Sequence, residues 1–248
     1  MGEKVSVILP NYNGEDFIKD SVQSVLSQTN VSLELIIIDD CSYDNSIEVI
    51  RKFKDPRVKL IKLDNNMGVS NARNIGIENS TGDYISFIDS DDYWIESKLE
   101  TQLNFMSQHN LNLTYSSVNI IDTKNNFKKI FTTKTIFSSF ELLKFNYVPT
   151  VSLIFKKDIL DKIKFKPIKH EDYLFILELS KNPQTKGKGY LPSLVNYRVH
   201  NNSLTKNKIK SFLWHLNIIS RLEKNPFNLA YYIFCYIKNG IKKYFING

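Results

Sequence analysis

The sequence predicts an α/β domain with a Rossmann-like, mixed and mainly parallel sheet that is flanked by helices. Short, nearly continuous apolar runs alternate with segments whose apolar residues recur at helical spacing. These runs are apolar on both faces, which is typical of strands in a sheet that helices cover on both sides. Two of them end in acidic residues, Asp39-Asp40 and Asp89-Ser90-Asp91-Asp92.

The elements of the first hundred residues follow the order expected of such a sheet. A β-branched run at 5–10 indicates a strand that proline ends, and helical spacing of apolar residues indicates a helix at 15–28. The run at 33–38 is too apolar on both faces for a half-solvated strand, so we predict a buried one. The alternation continues with a helix at 44–53, a strand at 58–63, a helix at 69–78 and a strand at 84–88.

Residues 101–204 carry weaker patterns. Strands are predicted at 113–121, 150–155 and 194–199, and the lysine-rich segment 123–135 is predicted to be a mobile loop. An apolar helical run follows the acidic residues of His170-Glu171-Asp172.

The acidic cluster Asp89-Ser90-Asp91-Asp92 predicts a divalent metal site. Each pair of carboxylates about 4 Å apart would repel by roughly 4 kcal/mol at an effective dielectric near 20. A cation would neutralise that repulsion, and oxygen ligands favour Mg²⁺ or Mn²⁺. The strand end is also the usual ligand position in open α/β sheets. A solvated acidic turn is the alternative.

Four ordered runs, VSVILPNYN, LELIIIDDCSYDNS, NMGVSNARNIGI and GDYISFIDSDD, resemble the family 2 glycosyltransferases of the GT-A fold. The resemblance is dense over residues 4–100 and resumes at His170-Glu171-Asp172 and at YRVHNNSLT, residues 197–205. It implies inverting transfer of a sugar from a nucleotide-sugar, usually a UDP-sugar, with a divalent metal on the diphosphate. It places the catalytic domain at 1–204, with a donor half at 1–100 and an acceptor half at 101–204.

The resemblance also implies a nucleoside pocket. Pro10 and Tyr12 would line the uracil site, and Asp40 would accept a hydrogen bond from the base, with Asp39 structural. A carboxylate suits an imide N–H and discriminates against bases that lack one. The alternative is that Asp39 and Asp40 cap the helix that follows.

The remaining donor-side roles are implied in the same way. Asp91 is expected to bind the metal directly, whereas Asp89 faces the donor ribose or sugar or reaches the metal through water. Ser90 lies between them in the donor site. His200 is expected near the metal or the diphosphate. Arg73 could reach the donor phosphates, and a surface salt bridge is the alternative for it.

Inverting transfer needs a general base that takes a proton from the acceptor hydroxyl. By resemblance that base is Asp172. From the residues alone, the same motif fits an ordinary acidic helix N-terminus. A shift of one position in the comparison would give the role to Glu171.

Residues 205–248 are predicted to form a basic amphipathic helical appendage. They contain eight Lys and Arg residues and one acid, Glu223, whereas residues 1–204 are neutral. A cationic, aromatic-rich segment suits the surface of an anionic bilayer. A helical pair packed on the catalytic domain is the alternative, and both hold if one helix docks while the other faces lipid. No nucleic-acid motif is present, so we expect no nucleic-acid partner.

Neither a signal peptide nor a transmembrane helix is predicted, because the first strand begins at once and no apolar run reaches about 18 residues. With the resemblance, this predicts a cytoplasmic enzyme held at the inner face of the plasma membrane. It would add a hexose or N-acetylhexosamine to a glycan or lipid-linked acceptor for bacterial surface polysaccharide or lipooligosaccharide. The alternative class is a non-catalytic scaffold that binds nucleotide-sugars.

Overall fold

The computed structural model describes residues 3–200 and 208–245. Its first part alternates strands and helices as predicted: β1 (Lys4–Asn11), α1 (Ile18–Leu26), β2 (Ser32–Asp39), α2 (Ser46–Arg51), β3 (Val58–Lys62), α3 (Val69–Glu78) and β4 (Tyr84–Phe87). The second part comprises β5 (Tyr93–Trp94), α4 (Lys98–Gln108), β6 (Leu113–Ile121), β7 (Phe127–Phe131), α5 (Ser139–Lys144), β8 (Ile154–Lys156), α6 (Glu171–Lys181) and β9 (Gly187–Arg198). Two helices, α7 (Lys208–Leu222) and α8 (Pro226–Phe245), follow.

The strands of the described chain form one mixed sheet in the order β3-β2-β1-β4-β8-β6-β9-β5, with β7 paired to β6. The first four strands of that order are parallel, and β8 joins β4 in the antiparallel direction. Beyond β8 the sheet is mixed, since β6 pairs with β9 in parallel and with β8 and β7 antiparallel. The predicted fold class is confirmed.

Three parallel strands bring the predicted acidic residues to one edge of the sheet. β1 lies between β2 and β4, and the register pairs Asn11 with Asp39 and Ile8 with Phe87. The carboxyl ends of these strands therefore meet at the same edge, as the sequence predicted.

Both faces of the sheet are covered at its centre, where β1 and β4 are buried along almost their whole length. Val7 and Leu9 of β1 belong to one buried apolar cluster, and Ile8 joins Phe87 in another. Successive side chains of a strand point to opposite faces, so β1 contributes to both clusters. Full burial of each such side chain stabilises the fold by about 1.5–3 kcal/mol.

One local prediction is wrong and another is half right. The segment 123–135, predicted as a mobile loop, contains β7, whose backbone pairs with β6 from Val118 to Ile121. The strand predicted at 150–155 is half right, since Thr150–Ser152 form a 3₁₀ turn before β8 begins. Pro149 precedes that turn, and its carbonyl accepts hydrogen bonds from both the N–H and the hydroxyl of Ser152. Local turn chemistry there outweighs the β-branched composition.

The C-terminal helices pack on the rest of the protein. Ile218 and Ile219 of α7 and Tyr232 of α8 are buried in the main core. The buried ring of His215 stacks between Tyr173 of α6, at 4.7 Å, and Tyr236 of α8, at 3.9 Å. Packing, one of the two roles considered for this segment, is therefore confirmed. Within the described residues, no helix combines the length and apolarity that a membrane span requires.

Candidate active site

The carboxyl ends of β1 and β2 carry a connected polar cluster. Asn11 Nδ2 and the Ser42 hydroxyl both donate to Asp39 Oδ1, at 2.8 Å and 2.7 Å. Asp39 is fully buried and holds the turn after β2, as its predicted structural role requires. The helix-capping alternative is wrong, because it is the carboxylate of Asp44 that accepts the Ser46 N–H at the start of α2.

Asp40 holds the loop that precedes α3. Its Oδ1 accepts the N–H of Met67 at 2.7 Å, and its Oδ2 accepts the N–H of Gly68 at 2.8 Å. Gly68 has φ +83°, a left-handed conformation that favours glycine. Asp40 is therefore anchored to the backbone at the same edge as the acidic cluster. Its predicted contact with the base stays a prediction.

Two exposed aromatic rings lie just after β1 and β2. Pro10 is buried in β1 opposite Ile38, and Tyr12 follows the strand with 47% of its surface exposed. The ring of Tyr43 meets Tyr12 edge-on at 6.1 Å and is 84% exposed. The sequence gives no signal for Tyr43, which sits in a polar turn. Exposed aromatic rings are surfaces on which a nucleobase can stack.

Arg73 links the two acidic motifs that the sequence singled out. Its guanidinium donates to Asp89 Oδ1 at 2.9 Å and to Glu171 Oε1 at 3.1 Å. It is buried, so the surface salt bridge considered for it is wrong. Burial lowers the pKa of Arg73, but the attraction of Asp89, Glu171 and Asp172 outweighs that effect and leaves the pKa raised. The donor-side cluster and the predicted base motif therefore border one region.

Asp91 and His200, the two predicted metal ligands, are in direct contact. His200 Nε2 lies 2.9 Å from Asp91 Oδ2, and the imidazole ring stacks on Phe17 with centroids 6.3 Å apart. Burial raises the pKa of Asp91, Asp89 adds to the rise, and the hydrogen bond with His200 offsets only part of it. Burial and repulsion from Asp89 together therefore outweigh the attraction of His200. Phe17 carries no signal in the sequence, since it resembles any apolar residue before a helix.

Asp92 and Arg198 form hydrogen bonds that hold the backbone of the acidic cluster in place. Asp92 is fully buried, and its Oδ1 accepts the Arg198 N–H at 2.8 Å. Burial raises the pKa of Asp92 well above its usual range, and Asp91 and Asp89 raise it further. The Arg198 side chain donates to the Asp91 carbonyl at 2.7 Å and lies 4.3 Å from the centre of the Phe17 ring. Arg198 thus positions the backbone of the cluster.

Ser90 lies against the turn that follows β1. Its carbonyl accepts the Ser21 hydroxyl at 2.9 Å. A Cβ at Gly14 would come within 3.1 Å of Ser90 Oγ and within 2.4 Å of Asn11 Oδ1. Only glycine allows that close approach. The turn after β1 and the acidic cluster are therefore packed directly against each other.

The motif His170-Glu171-Asp172 begins α6. His170 has φ +60°, a left-handed conformation uncommon for a residue with a side chain. Burial raises the pKa of Glu171, and Asp172 adds to the rise while Arg73 opposes it. Asp172 lies in the first turn, where its Oδ1 accepts the N–H of Tyr173 at 2.8 Å.

Tyr197 of β9 lies near acidic residues of both motifs. Burial raises the pKa of its phenol, and Asp92, Asp89, Asp91 and Asp172 each raise it further. Negative charge from both motifs therefore disfavours ionisation of Tyr197.

Two side chains of this region are suited to bind a divalent cation. Among residues 3–200 and 208–245, no group of three or more His, Cys, Asp or Glu residues converges on one point. Asp91 and His200 offer one oxygen and one nitrogen, and the buried Asp92 Oδ2 lacks a hydrogen-bond partner. A cation there would offset the negative charge of these carboxylates, with its remaining ligands from substrate and water. Residues 201–205 of the run YRVHNNSLT lie outside the described residues.

Comparison with known proteins assigns the family. The model of Glycosyl transferase family 2 matches residues 6–164. An uncharacterized glycosyltransferase of Haemophilus influenzae is 37% identical over 97% of both chains. The UDP-Glc:alpha-D-GlcNAc-diphosphoundecaprenol beta-1,3-glucosyltransferase WfgD of Escherichia coli is 33% identical over 97% of this chain and 94% of its own. The chain belongs to glycosyltransferase family 2.

A solved structure agrees with the fold. S. aureus TarS residues 1–349, in complex with UDP-GlcNAc, superimpose with a TM-score of 0.72 at 20% identity. The match covers 87% of this chain but 65% of that one, less than two thirds of its length. At this identity the likeness establishes a GT-A-like fold. The resemblance inferred from four short sequence runs is confirmed for family and fold.

Proposed function

We propose that this protein is an inverting glycosyltransferase that moves a sugar from a UDP-sugar to a hydroxyl of a lipid-linked or glycan acceptor. The observation that carries the proposal is the contact between Asp91 and His200 at the edge of the sheet, beside the bridge of Arg73 to Asp89 and Glu171. Residues 1–204 would form the catalytic domain, with donor and acceptor halves divided near residue 100.

The donor nucleoside would bind at the ends of β1 and β2. Tyr12 and Tyr43 offer aromatic surface, Pro10 lies at the end of the buried strand, and the anchored Asp40 would accept the imide N–H of uracil. Asp40 keeps acceptor capacity, because each carboxylate oxygen can accept more than one hydrogen bond.

The sugar and diphosphate would bind beside the acidic cluster. Asp89, held by Arg73, would face the ribose or the sugar, with Ser90 next to it. Asp91 and His200 would hold a Mn²⁺ or Mg²⁺ ion. When bound, this cation supplies positive charge that stabilises the departing diphosphate.

Asp172 would act as the general base. The acceptor hydroxyl oxygen attacks the anomeric carbon on the face opposite the diphosphate, and its proton passes to the Asp172 carboxylate. The bond between the anomeric carbon and the diphosphate oxygen breaks, and UDP leaves with the electron pair. Glu171 is less suited to this role, because Arg73 already engages one of its oxygens.

The acceptor class is proposed from the relatives. WfgD is named for adding glucose to GlcNAc-diphosphoundecaprenol, and it aligns along almost this whole chain. We therefore propose that the transferred sugar is a hexose or N-acetylhexosamine and that the product belongs to a bacterial surface glycan. The reaction would take place at the cytoplasmic face of the plasma membrane, where nucleotide-sugars and lipid-linked acceptors meet.

A direct test is transfer to a synthetic N-acetylglucosaminyl diphospho-lipid, with UDP-glucose and UDP-N-acetylglucosamine as alternative donors and Mn²⁺ present. We expect a β-linked product from one of these α-linked donors, detected by NMR of the new anomeric proton. The Asp172→Asn variant is the control and should form about 10²–10⁴-fold less product. An α-linked product would exclude the inverting mechanism.

A further inference from the structure

Helix α8 has one face against the protein and one face in solvent. Leu229 and Tyr232 pack against the core, and Tyr236 stacks on His215. The opposite face exposes a stripe of large apolar side chains, which we call the α8 stripe: Phe227 (84% exposed), Tyr231 (47%), Phe234 (63%) and Ile237 (46%). The spacing of three and four residues keeps them on one side of the helix.

Helix α5 extends the α8 stripe. Phe140 is 52% exposed, and its ring lies 6.2 Å from that of Tyr232. Lys144 Nζ lies 3.8 Å from the centre of the Phe140 ring and 5.9 Å from that of Tyr231. The exposed apolar surface is therefore composite and includes part of the acceptor half. Contiguous exposed patches of this kind mark interaction sites.

Exposed basic residues lie on α8, on the neighbouring α7 and on the connection between these two helices. Arg221, Lys224 and Lys238 are exposed on α7, on the connection and on α8, and the sequence has no acid after Glu223. The nearby Glu141 is neutralised by ion pairs with Lys134 and Lys144. An aromatic stripe with a cationic rim is the pattern of an interfacial helix at an anionic bilayer.

We propose that the α8 stripe and Phe140 form a docking surface that inserts aromatic side chains into the headgroup region of an anionic membrane. This inference deepens the proposed function and rests on it for the lipid-linked acceptor. A second copy is the less favoured occupant, because a two-fold interface pairs the same patch of both copies and would bring two sets of basic residues together. An anionic bilayer instead attracts each of them.

Docking there would present the acceptor half to the membrane. Tyr236 on the inner face of α8 stacks on His215, and His215 stacks on Tyr173 of α6, the helix that begins with the base motif. Trp214 of α7 also lies 5.5 Å from the ring of His170 in that motif. The docked helix and the proposed base are thus joined by one packed aromatic series.

The test is sedimentation of the intact protein with phosphatidylcholine vesicles, with and without phosphatidylglycerol. We expect binding that requires phosphatidylglycerol and falls as salt rises. Changing Phe227→Ser and Phe234→Ser together should weaken the partition coefficient about tenfold or more. Phe127→Ser, at a phenylalanine on β7 that is about as exposed as Phe234, is the control and should bind like the parent. Lys224→Glu with Lys238→Glu should also weaken binding, whereas Lys54→Glu should not.

Release of UDP from a UDP-sugar, measured without membrane, separates the two proposals. The serine variants should retain this activity, because their side chains are exposed on α8. If the intact protein turns over donor but ignores anionic vesicles at low salt, the docking surface is wrong and the proposed function stands. If vesicle binding depends on the α8 stripe while donor turnover is absent, the docking surface stands and the proposed function is wrong. A dimer in light scattering that the serine variants dissociate, without vesicle binding, would also overturn membrane docking.

Discussion

His200 Nε2 lies 2.9 Å from Asp91 Oδ2, although the two residues are 109 positions apart in the chain. Asp91 follows β4, and His200 follows β9, which belongs to the other half of the sheet. The pair therefore depends on the complete fold. Because burial and the neighbouring Asp89 both raise the pKa of Asp91, its carboxylate calls for a cationic partner.

The first prediction concerns this pair. Asp91→Asn and His200→Ala should each weaken manganese-dependent UDP binding by at least about tenfold, because loss of even an outer partner of a metal site has effects of that size. Calorimetric titration of UDP with and without Mn²⁺ measures the effect. His109→Ala, at an exposed histidine on the end of α4, is the control and should leave both affinities unchanged. Equal UDP affinity in all three variants would show that Asp91 and His200 do not bind the metal.

The second prediction concerns Arg73. Arg73→Met should destabilise the fold by about 3–5 kcal/mol, because it leaves Asp89 and Glu171 without their shared buried partner. Arg57→Met, which breaks the more exposed pair with Asp55, should cost no more than about 1 kcal/mol. Urea unfolding measures both.

Adding Glu171→Gln to Arg73→Met should recover part of the lost stability, since one uncompensated charge is removed. A loss in Arg73→Met no larger than that in Arg57→Met would show that the bridge contributes little.

The third prediction separates the two acids at the start of α6. Asp172→Asn should keep UDP and metal affinity but lose about 10²–10⁴-fold in transfer, since it removes proton acceptance with little change of shape. Glu171→Gln should affect stability and the position of Arg73 more than the chemical step. Transfer rates at saturating donor decide between them. A larger rate loss in Glu171→Gln would assign the base to Glu171.

The fourth prediction concerns pH and the docking of the C-terminal helices. Burial, with a smaller contribution from His170, lowers the pKa of His215 from 6.5 to about 3. Between those values the unfolded chain binds a proton that the folded protein excludes, so stability falls as pH falls through this range. From pH 7 to pH 5 the parent should lose about 1–2 kcal/mol more than His215→Phe.

Urea unfolding followed by fluorescence of Trp214, the neighbour of His215, measures this difference. His109→Phe should keep the pH dependence of the parent, because His109 is exposed. A parent and a His215→Phe variant with the same pH dependence would show that His215 titrates normally.

The sequence predicted the fold of the first hundred residues well because their signals are local. Strand ends and helical spacing can be recognised from short stretches of consecutive residues. The parallel strand order then places the ends of β2 and β4 on either side of β1. The position of Asp39 and Asp91 at one edge follows from these rules alone. The motif around His200 was assigned by resemblance, and its contact with Asp91 required the fold.

Other features had no local signal. Phe17 and Tyr43 have ordinary local sequences, and their roles come from residues distant in the chain. The bridge of Arg73 to Glu171 joins residues 98 positions apart. β7 was missed because its adjacent lysines, Lys128 and Lys129, suggested a solvated loop, although its backbone hydrogen bonds go to β6. Sequence patterns report propensity and burial, whereas these contacts depend on tertiary placement.

The most direct test of the central claim is metal-dependent release of UDP by the intact protein from a panel of UDP-glucose, UDP-galactose, UDP-N-acetylglucosamine and UDP-N-acetylgalactosamine. We predict slow release from at least one donor with Mn²⁺ or Mg²⁺, none in EDTA, and recovery when the metal is returned. Full activity in EDTA would contradict the metal role, because cationic side chains would then stabilise the leaving diphosphate. Tight UDP binding with no turnover of any donor, even with a lipid-linked acceptor, would instead identify a nucleotide-sugar-binding scaffold.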